Sequence, residues 1–433
     1  MVLLDLHQEP LGSAWRRDPC AVLFELAAHR PGEPVTLRIG SEEILVFQDA
    51  EAARHVARKR PENYAKNFGA FVEFFGASRL TADGERWATL QKLSQPSIVA
   101  TDPGDVVESA NRHFTAAIDG MLEAARQGPV LVDPYLDRAA ASVVAEVTLG
   151  FDPDEISPTL IDDFRTILRY ASLTTWNLPG TTHVDNPDLL ASAISARRRL
   201  LDGVDNLLLR RREASAGQTD LLRTLMAASD DVDLFSEICT LTFAGSDTSA
   251  ACLGWALWLL AESPELQERL RAEIHAAIGD GVPKLNLLPA LRDVAAFESE
   301  VLRIFPPIPI LSRVAIDDDV IGGLKVAAGQ KVLLSIIGLH HDGRIYPQAQ
   351  RTSLSRFPGG EIPRELVGHF LPFGLGRRAC GGARVATLEL TTALTQLITR
   401  LAISNPSLHA PLEFDWVASL RPRGSHRLSL SPF

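Results

Sequence analysis

Phe373-Gly374-Leu375-Gly376-Arg377-Arg378-Ala379-Cys380-Gly381-Gly382 is the stretch from which the rest of the chain is read. A lone cysteine sits in a glycine-dense loop, directly ahead of a helical pattern from about Ala383 to Leu401. Glycines let a backbone come close to a large flat object and aim its N–H groups at the sulfur. The positive end of the following helix favours thiolate over thiol. A buried, hydrogen-bonded thiolate is what an iron ligand of this type needs. Two other readings compete. Cys380 could be an ordinary buried cysteine. Alternatively, Gly374 to Ala379 matches a loose GxGxxG/A dinucleotide fingerprint, which requires a preceding strand and a βαβ unit. His369 to Phe373 is a poor strand and no such unit follows, so the dinucleotide reading is set aside.

Working back along the chain, the longest periodic segment runs from about Asp231 to Glu262, with Ala244-Gly245-Ser246-Asp247-Thr248 midway. Gly245 with Ser246 weakens a helix, and the Thr248 hydroxyl can bond the Ala244 carbonyl four residues back, opening a notch. An acid beside an alcohol in such a notch is a plausible proton path. The plainer alternative is a kinked core helix with an incidental polar pair. Glu300-Val301-Leu302-Arg303 places an acid and a base three apart on one helix face, directly ahead of Pro306-Pro307. Pairs like this are usually solvated surface charges. Trp87 offers an indole N–H donor, with Gln91 one turn on.

Together these residues resemble the cytochrome P-450 family, in its bacterial type, whose haem loop reads F-G-x-G-x-R-x-C-x-G. All the fixed positions are met by Phe373, Gly374, Gly376, Arg378, Cys380 and Gly382. The resemblance implies non-covalent haem b (iron protoporphyrin IX) with Cys380 as axial ligand and Arg378 on a propionate. It implies that Glu300, Arg303 and Arg356 form a scaffold triad. Ala244 and Gly245 would flank the haem, and Asp247 and Thr248 would deliver protons to O2, the co-substrate. Arg313 would bind a propionate. The family's W/H-x-x-x-R is met by Trp87 but not by Gln91, which costs one charge-assisted contact. Leu354-Ser355-Arg356-Phe357 also lacks the family's usual proline. The implied fold is mainly α with a smaller β portion. It forms a triangular single domain over 1–433, with β structure in the first hundred residues and the haem between the long helix and the helix after Cys380.

The bulk properties agree with that reading. A net charge of -11 argues against nucleic acid or an anionic membrane as partner. The longest apolar stretch, around Ala250 to Ala261, is too short to span a bilayer, so no membrane anchor is expected. Cys20, Cys239, Cys252 and Cys380 form no CxxC or CxxCH pair, which leaves disulfide scaffold, zinc ribbon and c-type haem unsupported and fits a reducing cytoplasm. Helices are expected over Ala21 to His29, Glu108 to Arg126, Arg138 to Leu149, Leu189 to Arg212, Pro264 to Ile278 and Leu288 to Ile304. Strands are expected over Pro34 to Ile39, Glu43 to Phe47 and parts of Ile310 to Leu334, with a terminal hairpin from Asp415 to Ser429 turning at Arg423-Gly424.

The resemblance implies a monooxygenase, in which one atom of O2 enters the substrate and the other leaves as water. Nothing in 433 residues remains for a flavin or iron–sulfur domain, so electrons come from a ferredoxin or flavodoxin with its NAD(P)H-dependent reductase. Arg86, Lys92, Arg377, Arg378 and Arg384 could form the docking face. Phe68, Phe71, Phe74, Phe75, Phe243, Ala244 and Ile308 to Leu311 resemble the family's pocket walls and point to a small apolar substrate, although such aromatics are often simply core. A haem-thiolate sensor or electron carrier would share the Cys380 loop but would not need Asp247-Thr248. A peroxide-using or isomerising member of the same fold is the other alternative.

Overall fold

Capping side chains and prolines fix the ends of the helices. The computed structural model describes residues 2–5, 14–15, 18–39, 42–175, 186–213, 220–228, 232–279, 281–406, 412–422 and 427–433. Its longest helix, Leu234–Glu262, starts where the Asp233 side chain accepts from the Ser236 amide, satisfying one of the donors that a helix start leaves open. Ser263 ends it and then caps the next helix, Pro264–Ile278, by accepting from the Leu266 amide. Pro264 occupies the first turn, where a missing N–H costs nothing.

At 1.5 Å per residue the central helix is about 43 Å long. Asp133–Val144 and Ala383–Arg400 pack against it, and Pro103–Ala125 packs on both of these. The helix stays α through Gly245-Ser246. Gly245 also serves closeness: a Cβ there would lie 2.8 and 2.9 Å from the two methyl carbons of Val144. Glycine is what lets the Asp133–Val144 helix cross so near.

The β portion joins the two ends of the sequence. One mixed sheet runs Val2–Asp5, Val35–Ile39, Glu42–Phe47, Lys331–Ser335, Ile310–Ala315, Tyr64–Lys66 in spatial order. The Gly40-Ser41 junction lies outside the described residues, but its flanking strands pair antiparallel as expected. Tyr64–Lys66 pairs antiparallel with Ile310–Ala315 in a register that sets Lys66 opposite Arg313.

The terminal hairpin is a correction. Arg423-Gly424 lies outside the described residues, and the strands on either side of it do not pair with each other. Phe414–Trp416 pairs with Leu420–Pro422 instead. Arg427–Pro432 pairs with Leu401–Ser404 and Val130–Leu131. Tertiary partners override the local pattern: the Leu420 carbonyl accepts from the Trp255 indole at 2.8 Å, and the Leu420 amide donates to the Pro307 carbonyl at 2.8 Å.

Glu300 and Arg303 are both fully buried and paired, with Nε to Oε1 at 2.7 Å. Arg356 completes the triad at 2.7 Å from Glu300 Oε2. Their remaining N–H groups donate to the carbonyls of Pro347, Gln348, Ala349, Arg351 and His340. An ion pair sealed this way is a clamp on the chain ahead of the cysteine loop, which matches the scaffold role expected of it.

Candidate active site

Two glycines with left-handed backbones set the path of the cysteine loop. Gly374 and Gly376 both have φ of 74°, which a Cβ disfavours. Gly376 also packs so tightly on the Ala57 carbonyl that no side chain would fit. The Cys380 amide donates to the Phe373 carbonyl at 2.8 Å, closing the loop. Cys20, Cys239 and Cys252 are buried, while Cys380 is exposed. Yet desolvation by the surrounding protein pushes the Cys380 thiol up, against the Gly382 N–H that donates to its sulfur and the nearby charge of Arg79. The expected bias toward thiolate is therefore outweighed by burial, and a bound metal ion would be needed to remove the proton outright. A side chain that is both reachable and desolvated lies on the wall of a deep cleft. At Gly382 a Cβ would meet no protein atom within 4 Å, so the loop is open on that side.

One face of the central helix carries a narrow half-exposed stripe. Leu241, Ala244, Gly245 and Thr248 are half-exposed, while the flanking Thr242, Phe243, Ser246 and Ser249 are buried. Spacings of three and four put this stripe on one helix face. The Thr248 hydroxyl donates to the Ala244 carbonyl at 3.0 Å, as expected. Ser249 Oγ donates to Glu389 Oε2 at 2.8 Å, tying the central helix to the helix that follows Cys380. Asp247 Oδ1 accepts from Arg421 Nη2 at 2.8 Å, whereas Asp247 Oδ2 is buried with no partner.

Arg378 pairs with Asp83 beside the loop, with Lys66 and Arg313 close by; the Lys66 ammonium itself donates to the Arg79 carbonyl at 3.1 Å and to the Leu80 carbonyl. Arg378 Nη2 lies 2.5 Å from Asp83 Oδ1, and the Lys66 amide donates to Asp83 Oδ2 at 2.8 Å. Arg313 donates only to its neighbour's carbonyl, Ser312 O, at 2.7 Å. Burial, then Arg378 and Arg313, hold the Lys66 pKa down to about 7. Burial and then Arg378 hold Arg313 down to about 10. Arg378 Nε is buried without a partner, and its guanidinium carbon sits 4.5 Å from the centre of the Trp87 ring. Lys66, Arg313 and Arg378 outnumber Asp83, the Lys66 charge being weakened by its lowered pKa, so the site keeps a positive excess. A flat macrocycle carrying two carboxylates fits both this excess and the glycine-lined opening. Among the described residues no three His, Cys, Asp or Glu side chains gather to hold a metal, so an iron at Cys380 would take its other ligands from such a macrocycle.

A cytochrome P450 family model matches residues 12–428. The chain belongs to the cytochrome P450 family. It is accordingly an oxidoreductase, a haem monooxygenase. The cyclooctat-9-en-7-ol 5-monooxygenase of Streptomyces melanosporofaciens is 27% identical over 89% of this chain and 85% of that protein. A cytokinin hydroxylase of Arabidopsis thaliana is 26% identical over 83% of this chain and 72% of its own length. The chloroplastic protein LUTEIN DEFICIENT 5 of the same plant is 25% identical over 84% of this chain, which spans 66% of that relative. The crystal structure of the cytochrome P450DA heme domain superposes with a TM-score of 0.86, covering 100% of this chain and 97% of that one at 19% identity, which supports the fold.

In this P450 the Gln91 Nε2 donates to the Arg377 carbonyl at 3.4 Å. Lys66 brings a further basic group near Arg313 and Arg378. Sequence reading misses Lys66 because its partner Arg313 is 247 positions away and only the strand register unites them. Asp83 and Arg421 escape it for the same reason. Of the basic cluster read as a docking face, Arg86, Lys92, Arg377 and Arg384 are exposed, with Arg377 paired to Glu62 and Arg384 donating to the Val99 and Thr101 carbonyls, while Arg378 turns inward to Asp83. Phe71, Phe75, Phe164 and Phe243 form a buried aromatic cluster, with Phe71 and Phe243 centroids 6.2 Å apart. Half-exposed Phe68 lies at its edge, whereas half-exposed Leu311 packs with the Leu45, Tyr64 and Leu334 cluster of the sheet. Among the described residues no helix is long and apolar enough to cross a membrane.

Proposed function

We propose that this single-domain P450 inserts one atom of dioxygen into a mainly apolar small molecule. Non-covalent haem b would be held by the Cys380 sulfur and by Lys66, Arg313, Arg378 and Trp87 at its carboxylates, with Phe373, Gly374 and Gly382 beneath it and Ala244 and Gly245 above. Haem iron with a thiolate ligand supplies the dioxygen activation. The observation that carries this reading is the half-exposed stripe of the central helix, an apolar strip beside one hydroxyl and one acid, on a helix that Ser249 ties to Glu389 of the helix following Cys380. Thr248 holds a hydroxyl at the oxygen side of the cleft. Asp247 stands one residue away with one oxygen held by Arg421 and the other without a partner. Phe68, Leu241 and Leu311 exclude water from the substrate side. Electrons would come from a ferredoxin or flavodoxin with its NAD(P)H-dependent reductase, approaching over Arg86 and Lys92 in the cytoplasm. The relatives named for hydroxylating a cytokinin and for oxygenating cyclooctat-9-en-7-ol support a small organic substrate.

The test is a Soret titration of the ferric protein against a library of apolar small molecules. A compound that drives iron from low to high spin identifies the substrate class. A protein that takes up haem without any responder overturns the apolar-substrate reading.

A further inference from the structure

Gly381, the residue after Cys380, fills a position that the family motif leaves open. It lacks the left-handed backbone of Gly374 and Gly376, so conformation does not call for glycine there. Space does: a Cβ on Gly381 would run into Arg79 Nη2 and Gln95 Oε1. Arg79 lies between the Gly69–Phe75 and Gly84–Ala100 helices and is held by backbone and side chain alike. Its amide donates to Glu237 Oε1 of the central helix at 2.5 Å, and its carbonyl accepts from the Lys66 ammonium at 3.1 Å. Its Nη1 donates to Ser94 Oγ at 3.0 Å, and its Nη2 donates to Gln95 Oε1. Gln95 Nε2 in turn donates to the Gly381 carbonyl at 3.3 Å. The cysteine loop thus gives up a side chain at Gly381, and a guanidinium from a distant segment takes its place.

We propose that Arg79 raises the reduction potential of the haem site by holding a fixed positive charge against the Cys380 loop. This deepens the functional reading above and rests on Cys380 being the iron ligand. One electron from the ferredoxin or flavodoxin takes ferric iron to ferrous, and the site gains one negative charge. A cation close by stabilises the more negative state and so favours reduction. Surface arginines do little of this, because water and salt screen them. Arg79 differs in two respects. Its guanidinium is tied to fully buried Ser94 and to Gln95, so it cannot swing into solvent without breaking both bonds. Both of those partners are neutral, so the charge is not spent on a carboxylate. Glu237 meets the Arg79 backbone, and burial pushes its pKa up to about 7, which weakens its opposing charge. Burial also pushes the Cys380 thiol up, while the Gly382 N–H and then the charge of Arg79 oppose that push, so the field of Arg79 reaches the sulfur. Arg79 touches no reacting atom and acts through Cys380, with Ser94 and Gln95 as the residues that position it.

The test is a mediated dithionite titration of the haem-loaded protein in the absence of substrate. Arg79→Gln removes the charge and is expected to move the ferric–ferrous equilibrium about tenfold toward ferric, equal to about 59 mV for one electron. Gly381→Ala drives the guanidinium off the loop. It is expected to move the equilibrium the same way by a smaller amount, and to add nothing on the Arg79→Gln background. Arg79→Lys keeps the charge and should hold most of the wild-type value. A purely structural brace would lower the unfolding midpoint of Arg79→Gln and leave its potential where it was, a result that overturns the proposal. So does an Arg79→Lys potential that falls as far as that of Arg79→Gln. If Arg79→Gln fails to retain haem, Gly381→Ala decides alone, and an unmoved potential there counts against the proposal. The ligand is read separately, from the Soret band of the ferrous carbon monoxide complex. A wild type without the long-wavelength band of thiolate ligation overturns the Cys380 reading and this inference with it. That band beside unmoved potentials overturns this inference alone.

Discussion

Lys66 and Arg313 stand directly opposite each other in neighbouring antiparallel strands. Like charges in that relation repel, and burial sharpens the cost because neither has an acid of its own beyond the shared Asp83. The sheet tolerates the pair only as half of a larger arrangement, whose other half is anionic. In the proposed reading the two haem carboxylates would supply it.

Lys66→Met is expected to weaken haem retention. A charge-assisted hydrogen bond contributes about 1.5–3 kcal/mol, so haem should leave about ten- to a hundredfold faster. The rate of transfer to excess haem-binding acceptor measures this. An unchanged rate would show that Lys66 does not reach the cofactor.

The same lysine gives a pH signature in the chain expressed without haem. Its folded pKa is pushed down to about 7, below that of the unfolded chain. Between those two values the unfolded state binds more protons, so stability rises with pH across that window and is lowest below it. Urea midpoints of wild type and Lys66→Met are expected to converge as the pH is raised from about 6 to about 9. Curves that stay parallel across that range would remove Lys66 from the account.

Gly245 and Val144 test the helix crossing. A methyl at Gly245 needs room that the two Val144 methyl carbons occupy, and overpacking of that kind costs about 1–3 kcal/mol. Gly245→Ala should be destabilised by that amount, and Val144→Ala should recover most of it in the double variant. Additive losses would mean that the two residues do not share the space.

The motifs that short-range physics dictates were readable from the residues alone. Phe373 to Gly382 is contiguous, and the Thr248 to Ala244 bond needs only one helical turn. Glu300 and Arg303 were readable for the same reason. What stayed hidden depends on partners far along the chain. The Lys66 charge matters only through register with Arg313, and Arg421 only through the tertiary placement of its strand. Gly245 has a further reason that lies in Val144 on another helix, beyond the local weakening a glycine signals. The terminal hairpin failed similarly, since the Arg427–Pro432 strand finds partners at Leu401–Ser404 and Val130–Leu131.

Arg303 is buried at 0% exposure against an equally buried Glu300. Removing one member of a buried pair leaves an uncompensated charge and costs about 3–5 kcal/mol. Arg303→Ala should therefore lose that much stability, read by denaturant unfolding. Arg303→Lys should fall short of rescue, because one ammonium cannot serve Glu300 together with the His340, Ala349 and Arg351 carbonyls. A neutral Arg303→Ala would mean that the triad is not a structural clamp.

Gln91 offers the decisive comparison, because it stands where the family carries an arginine. If Lys66 already supplies the charge that Gln91 lacks, Gln91→Arg adds a further cation to a site with two carboxylates to meet. It also forfeits the bond from the Gln91 amide to the Arg377 carbonyl. On the wild-type background it should change haem retention by less than about twofold, since an unmatched cation in this setting gains little. On the Lys66→Met background the same substitution restores the missing charge, and retention should recover by about tenfold, the equivalent of about 1.4 kcal/mol. The coupling between the two substitutions is what carries the argument. Equal effects of Gln91→Arg on both backgrounds would show that the two positions serve different groups and that Lys66 is no substitute for the arginine.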